Sequence, residues 1–170
     1  LTLDLVDGVD AYQVLRGGWM VAQYTDRLDR LHEFGPNLAG NIESGLRLTS
    51  RDLAVAERKR AEIWHRLRRF FSDYELLLTP TVPVPPFPVE NNYPTEIGGR
   101  KLDNYTTWFA PAFIVSLVAL PAASVPAGMT RAGLPVGIQI IGPRCSEPRI
   151  LACAKLIAEL NPIGRPPQAA

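Results

Sequence analysis

The side chains that could act as nucleophiles or bases are scattered along this sequence. A serine nucleophile needs a base within hydrogen-bond reach and a group that stabilises the developing oxyanion. No serine lies in a G-x-S-x-G motif, and His32 and His65 lie among polar residues, His65 on the charged side of a predicted helix. The serines are Ser44, Ser50, Ser72, Ser116, Ser124 and Ser146. The residues alone therefore predict no serine-based catalytic constellation.

Lysine and cysteine offer no alternative centre. Lys59 lies on an arginine-rich helix face and Lys155 on a predicted surface helix, so neither has the apolar surroundings that would make it a base. Cys145 and Cys153 show neither C-x-x-C spacing nor a histidine pair that would indicate zinc. Two cysteines form no disulfide framework, which favours a reducing compartment and predicts a cytoplasmic protein.

Composition and charge exclude two further classes. The 18 Lys and Arg residues balance 17 Asp and Glu residues, so a net charge of +1 gives no reason to expect a nucleic-acid partner. Residues 104–130 carry no charge and are long enough to span a bilayer. Pro111, Pro121 and Pro126 would break any single helix there, which favours a buried core over a membrane segment.

The elements that must position any site follow from hydrophobic period and from chain breakers, and they predict an α/β fold. A Gly17–Gly18 pair interrupts the first helical pattern, and the last helix is expected to bury Ile150, Leu151, Ala154, Ile157 and Ala158. The predicted segments are a helix over 10–31, a loop or short helix over 34–48, a helix from a Thr49–Asp52 capping box to about Ser72, a buried strand over 74–79, an extended loop over 80–88, a turn-rich segment over 91–104, a buried helix over 105–120, strands over 123–126 and 136–141, and a final helix capped by Ser146 and ended by 161–162.

The two strands over 123–126 and 136–141 form a predicted core hairpin. Residues on both faces of the second strand are mostly apolar, so both faces are expected to be covered. Gln139 is the exception, and its buried amide needs hydrogen-bond partners. Bonds to neighbouring backbone are the favoured interpretation over contact with a ligand.

The proline-rich loop over 80–88 contains overlapping PxxP patterns, which SH3-type adaptor domains bind. It follows a predicted buried strand without a flexible approach, and no arginine flanks it. A rigid loop built into the fold is therefore favoured over an adaptor ligand.

Three stretches taken together resemble the C-terminal portion of the amidase signature family. They are FFSDYELLLTPTVPVPPFPVE, NYTTWFAPAFIVSLVALPAASVPAG and GLPVGIQIIGP, and the earlier NIESGLRLTSRDLAVAERKRAEIW is also similar to the family. The resemblance covers nearly the whole chain and implies the C-terminal part of a mixed β-sheet core covered by helices. All of 1–170 would be one segment of an amidase-type domain. Its parts would be a helical and loop lead-in over 1–48, a helix over 49–73, a strand and proline-rich loop over 74–103, a helix and core hairpin over 104–143, and a closing helix and tail over 144–170.

The resemblance implies hydrolysis of carboxylic amides through a serine nucleophile, a second serine in a cis peptide, and a lysine. An acyl-enzyme would form with no cofactor, and no metal is expected. These catalytic residues belong to a Gly/Ser-rich stretch of the family that is absent from this sequence, so none is assigned here. The chain would be a fragment, inactive alone, that supplies sheet core and one wall of the substrate pocket.

The resemblance also sets the expected partners and site residues. A small-molecule amide would bind, a missing N-terminal half or another chain would cover the sheet, and a homo-oligomer is an open possibility. The pocket-wall candidates are Thr79, Pro80 and Thr81, at the carboxyl end of a strand, and Trp108. Core packing for Trp108, and capping of the loop backbone for the threonines, stay open as structural alternatives.

Residues 116–120 depart from the family, many members of which have an Asn-rich or Gly-containing approach to the LPA motif. The departure favours a less polar amide substrate over a role as the A-type subunit of an amidotransferase. The alternative from another class of function is a non-catalytic scaffold derived from an amidase.

Overall fold

A computed structural model describes residues 3–162 of the chain. The chain divides into two compact units, Leu1–Arg69 and Phe70–Ala170, called here the first and second unit. The first unit is helical. It contains α1 (Gly8–Gln23), a 3₁₀ helix (Thr25–Glu33), α2 (Pro36–Leu46) and most of α3 (Ser50–Asp73).

The predicted first helix ends earlier than expected, at Gln23. The Thr25 hydroxyl donates to the carbonyl oxygens of Val21 and Ala22, at 2.8 and 3.2 Å. This bonding occupies carbonyls at the end of the helix, and the chain continues in the tighter 3₁₀ form with non-helical dihedrals at Arg27 and Arg30. The segment predicted as loop or short helix is a full helix, α2, which Pro36 opens at its first position.

The glycine pair at 17–18 does not interrupt α1, because Gly17 serves a helix crossing instead. A Cβ atom placed on Gly17 would lie 3.1 Å from the Cα atom of Gly45 in α2. Gly17 and Gly45 are both buried, and the backbones of α1 and α2 meet at this point. The missing side chains therefore allow α1 and α2 to pack more closely than any other residue pair would permit.

The capping box that begins α3 is confirmed. The backbone N–H of Asp52 donates to the Thr49 hydroxyl at 3.2 Å, and the Thr49 backbone N–H donates back to the Asp52 carboxylate at 2.8 Å. A further hydrogen bond from the Thr49 hydroxyl, at 2.6 Å, is the main reason that the pKa of Asp52 lies below its usual value. Aspartate therefore performs the reciprocal role that glutamate usually has in this motif.

An ion pair joins the start of α1 to α3 within the first unit. The guanidinium of Arg66 donates to both carboxylate oxygens of Asp7, at 2.8 and 2.6 Å, and to the carbonyl oxygen of Asp4 at 2.9 Å. The side chains of the pair are only 28% and 27% exposed. The hydrogen bonds from Arg66 lower the pKa of Asp7, and burial opposes this effect only in part.

Asp7→Asn should remove a pH-dependent part of the stability. The folded-state pKa of Asp7 lies below the value of 3.8 that it has when unperturbed. The pair therefore stabilises fully above that value, and its contribution is lost as the pH falls through the lower folded-state pKa. Urea titrations should show a loss of about 1 kcal/mol for Asp7→Asn at pH 7 and a smaller loss at pH 3.

Asp10→Asn is the matched control on the same helix. Its carboxylate is 80% exposed and lies 3.8 Å from Lys59, so its removal should cost less than about 0.5 kcal/mol. An equal loss for Asp7→Asn at both pH values would contradict the ionic origin of the effect.

The second unit places helices on a three-stranded antiparallel sheet of order β1-β5-β4. A separate two-stranded ribbon, β2 with β3, lies in the segment predicted as turn-rich. The elements are β1 (Leu77–Pro80), β2 (Glu96–Ile97), β3 (Arg100–Lys101), a 3₁₀ helix (Thr107–Phe109), α4 (Ala110–Leu117), β4 (Ala122–Met129), β5 (Pro135–Ile141) and α5 (Glu147–Leu160).

The core hairpin is β4 with β5, both longer than predicted, and β5 is the central strand. Ile140 is fully buried and packs with Ile150 and Ala154 of α5. On the opposite face, Gln139 bonds to the carbonyl oxygen of Pro111 in α4. Both faces are therefore covered towards the end of β5, whereas Val136 near its start is 38% exposed.

Three predictions in this unit are wrong in detail. The strand predicted as buried, β1, is an outer strand of the described sheet, and Leu78 is 48% exposed because only one of its faces packs. The helix over 105–120 is shorter, since the 3₁₀ turn at 107–109 precedes α4 and α4 ends at Leu117. The α5 helix leaves Leu151 and Ala158 exposed, although both were predicted to be buried. Ser146 does not cap this helix, and its hydroxyl instead donates to the carbonyl oxygen of Pro143 at 2.6 Å.

Candidate functional site

An apolar groove of about 160 Å³ lies in the second unit, where the proline-rich loop and the 3₁₀ helix at 107–109 meet the start of β5. Among residues 3–162, none of those that line the groove is charged. The prolines give the loop a stiff backbone, which makes this wall rigid. The walls are formed by Val82, Val84, Phe87, Trp108, Val136 and Gly137, with prolines of the same segments.

Trp108 forms one wall of the groove. Its half-buried ring meets Phe87 edge to face, with ring centroids 5.5 Å apart, and meets Phe109 at 5.4 Å. The turn before it is fixed by Asn104, whose side-chain oxygen accepts from the backbone N–H groups of Thr106 and Thr107, both at 3.0 Å. The ring thus takes part in aromatic packing and also lines the groove, so the two expectations for Trp108 are compatible.

Thr79 lies on the sheet beside Gln139, three residues before Val82, the first residue that lines the groove. The Gln139 amide nitrogen donates to the Thr79 hydroxyl and to the carbonyl oxygen of Pro111, both at 3.1 Å. The prediction that Gln139 bonds to backbone thus holds for one of its two partners. Pro80 occupies the alternate position of β1 and is exposed, so strand alternation directs it to the other face of the sheet.

Thr81 continues β1 into the loop and adjoins the groove. Its backbone N–H donates to the carbonyl oxygen of Gly137 at 3.0 Å, and its hydroxyl lies 2.7 Å from the hydroxyl of Ser124 on β4. The two hydroxyls therefore meet across β5. A Cβ atom on Gly137 would lie 2.9 Å from the Thr81 oxygen and 3.3 Å from the Ser124 oxygen, so glycine is what allows this contact.

The sequence singled out Thr81 and Trp108 as candidates but not the residues that join them in the structure. Phe87 and Val136 carried no polar signal, and Ser124 was considered only as a nucleophile. The usable signal was Gly137, since a glycine inside a strand pattern often marks a close approach of neighbouring chains. The partners in that approach depend on sheet order, which no local pattern in the sequence provides.

The assembled groove can bind an apolar group and offer hydroxyls at its edge. Its described lining residues carry no side chain that usually binds a metal ion. Within residues 3–162, no three His, Cys, Asp or Glu side chains come together in a way that could hold a metal ion. None of the helices in that part of the chain has the length and apolarity needed to cross a membrane.

Comparison with known proteins identifies relatives among amidases and amidotransferase subunits. A sequence model of the Amidase family matches residues 20–151. The chain is 34% identical over 137 residues to the A-type subunit of the glutamyl-tRNA(Gln) amidotransferase of Treponema denticola, covering 78% of this chain and 27% of that protein. It is 29% identical over 116 residues to an acylamidase of Rhodococcus erythropolis, covering 68% of this chain and 24% of the other.

The fold is also found among solved structures. A crystal structure of an amidase superposes with a TM-score of 0.85 and 20% identity, covering 94% of this chain and 37% of the other. The chain spans about a quarter to a third of the length of these curated relatives. The predicted α/β class, with a sheet core covered by helices, is confirmed by this likeness.

Proposed function

The chain belongs to the amidase family, and from this we propose that it supplies the sheet core and part of the substrate-pocket wall of a carboxylic-amide hydrolase. All 170 residues would then form a C-terminal part of the catalytic domain. The observation that carries the proposal is the uncharged groove between Trp108 and the start of β5, which lies next to the carboxyl end of β1. Ligands of open α/β sheets bind at such strand ends.

The chemistry we propose for the whole protein is a Ser–cis-Ser–Lys relay whose members lie outside this chain. The lysine accepts a proton through the bridging serine, the nucleophile forms an acyl-enzyme, and backbone N–H groups hold the oxyanion. The role of the present residues is to hold the apolar part of the substrate so that its amide meets that relay. No cofactor takes part in this scheme.

An aryl or branched apolar amide suits the groove. Its volume of about 160 Å³ is close to that of an apolar cavity known to hold one benzene ring. The absence of charge in the lining disfavours an ionised substrate group there, because a buried charge needs a partner. The acylamidase among the relatives supports an acyl amide as the substrate.

The partners we propose follow from the edges of the sheet. β1 and β4 are the outer strands of the described three-stranded sheet, and each presents backbone groups that another strand can pair with. A further part of the amidase domain, or another chain, would cover these edges, and a homo-oligomer would be one way to do so. We place the protein in the cytoplasm on the basis of its cysteine usage.

A second candidate is the A-type subunit of a tRNA-dependent amidotransferase. The 34% identity to the Treponema denticola protein favours it. Glutamine would then be the amide substrate, and hydrolysis would depend on partner subunits. Glutamine hydrolysis that exceeds the hydrolysis of acetanilide would select this candidate over the acylamidase type.

The test of the proposed function compares the 170-residue chain with the full translation product of its gene. The chain alone should not hydrolyse acetanilide above the buffer rate, whereas the full product should. In the active preparation, Trp108→Ala should lower kcat/KM for acetanilide about tenfold or more, because the ring of the substrate loses its aromatic wall. The loss for acetamide, which has no ring, should be smaller.

Trp19→Ala is the matched control, since Trp19 belongs to the first unit and lines no part of the groove. Its variant should keep both activities. Hydrolysis by the 170-residue chain alone, or an inactive full product, would contradict the proposal, and the second result would favour a non-catalytic scaffold.

A further inference from the structure

The hydroxyls of Thr81 and Ser124 form an isolated pair on the sheet. Their oxygens are 2.7 Å apart, and either can be the donor. Neither hydroxyl makes another hydrogen bond within the part of the chain that the structure describes. Two hydroxyls that share one hydrogen bond use only one of their two hydrogens. One O–H group therefore remains available to a ligand.

The pair stands at the edge of the apolar groove. Gly137 belongs to the lining of the groove, and the place of its missing side chain is 2.9 Å from the Thr81 oxygen and 3.3 Å from the Ser124 oxygen. Val82, the next residue after Thr81, is part of the lining as well. A ligand in the groove can thus reach the hydroxyls over Gly137 without a side chain in between.

The surroundings define the group that the pair would bind. A hydroxyl is a neutral donor, and no lining residue in the described part of the chain is charged, so a neutral oxygen acceptor suits the site better than a carboxylate. Ser124 is exposed and Thr81 is half-buried, which leaves the approach open.

We propose that the Thr81–Ser124 pair is the polar end of this ligand site and donates its second O–H to a carbonyl oxygen of the ligand, whose ring fills the groove. That the ligand is an amide rests on the proposed function. The pair thereby distinguishes an aryl amide from an aryl group that lacks an acceptor.

Two probes test the contact directly, acetanilide and N-isopropylaniline. They differ in that a methyl group of the second replaces the carbonyl oxygen of the first. Ligand-observed NMR titration of the 170-residue chain at about pH 8 gives a Kd for each. The double variant Thr81→Val with Ser124→Ala should weaken acetanilide about three- to tenfold, as expected for the loss of one hydrogen bond. The Kd of N-isopropylaniline should change by less than about twofold, because this probe has no carbonyl oxygen to accept the hydrogen bond that the double variant removes.

Two further variants separate recognition from structure. Thr81→Ser keeps both hydroxyls and should bind acetanilide as the wild type does. Phe87→Ala removes a wall of the groove and should weaken both probes alike. Ser124→Ala alone leaves the Thr81 hydroxyl with its hydrogen free to donate, so this variant should bind acetanilide within about twofold of the wild type, and the loss should need both substitutions.

Equal weakening of both probes by the double variant would show that the pair only holds the loop in place, and it would overturn the proposal. So would the absence of acetanilide binding to the wild-type chain. Neither readout uses turnover, so the proposed hydrolase function can fail while the subsite stands, and the reverse also holds.

Discussion

Gly45→Ala is expected to destabilise the protein by about 3 kcal/mol or more. The new methyl group would overlap the carbonyl oxygen of Gly17 and lie 2.7 Å from its carbonyl carbon. These are backbone atoms of a buried helix, so they cannot move aside as a flexible side chain would. The gain in helix propensity, about 1 kcal/mol, is too small to offset separating α1 from α2.

Gly40→Ala is the matched control on the same helix. A Cβ atom at that position meets nothing within 4 Å, so only helix propensity changes and the variant should be more stable by about 0.5–1 kcal/mol. Urea titrations of both variants measure the two effects. A stabilised Gly45→Ala protein would mean that α1 and α2 do not cross at these glycines.

Ile140→Ala should cost about 2–5 kcal/mol, the range found for large-to-small changes in a packed core. Ile140 is fully buried on the central strand β5, and its neighbours come from several elements. Ile150 and Ala154 of α5 contact it, with Leu76, Ala123 and Val125 packed around them. The cavity left by the shorter side chain would have walls on different elements, which limits how far it can collapse.

Leu151→Ala provides the comparison for Ile140→Ala, because it removes a side chain of the same size from a site that is 64% exposed. Its cost should stay within about 0.5 kcal/mol by denaturant titration. Similar losses for the two variants would place Ile140 at the surface and contradict the packing of α5 on the sheet.

Local chemistry explains which features the sequence predicts well. The capping box at Thr49–Asp52 is complete within four residues, so its pattern alone locates the start of α3. The hairpin of β4 and β5 is likewise close in sequence, and its apolar residues on both faces correctly indicated cover on both sides over its later part.

Non-local contacts explain what the sequence does not reveal. The apolar run at 74–79 has the composition of a buried strand, yet its position at the edge of the sheet is decided by pairing with β5, some sixty residues later. Gly17 looked like a helix breaker because its partner, Gly45, lies on another element. Ser146 has a capping residue's identity, but its hydroxyl donates to the carbonyl oxygen of Pro143 and accepts no N–H of the first turn of α5.

Thr81 and Ser124 at the candidate site are also far apart in sequence, at a separation of 43 residues. Trp108 and Phe87 also come from separate segments. Each residue can be singled out by its type, but the groove exists only once sheet order brings the segments together. The fold could be predicted from the family resemblance, because members of a family share the same long-range contacts.

The position of β5 between β4 and β1 also implies an order of events as the chain folds. The β4–β5 hairpin closes a short turn between Met129 and Pro135, whereas pairing of Thr79 with Gln139 must close a far longer loop. The longer closure costs about 2 kcal/mol more in chain entropy. We therefore expect the hairpin to form first and to offer a ready edge to β1. The groove, whose loop follows β1, would then be assembled late, after the strand that carries Gly137 is in place.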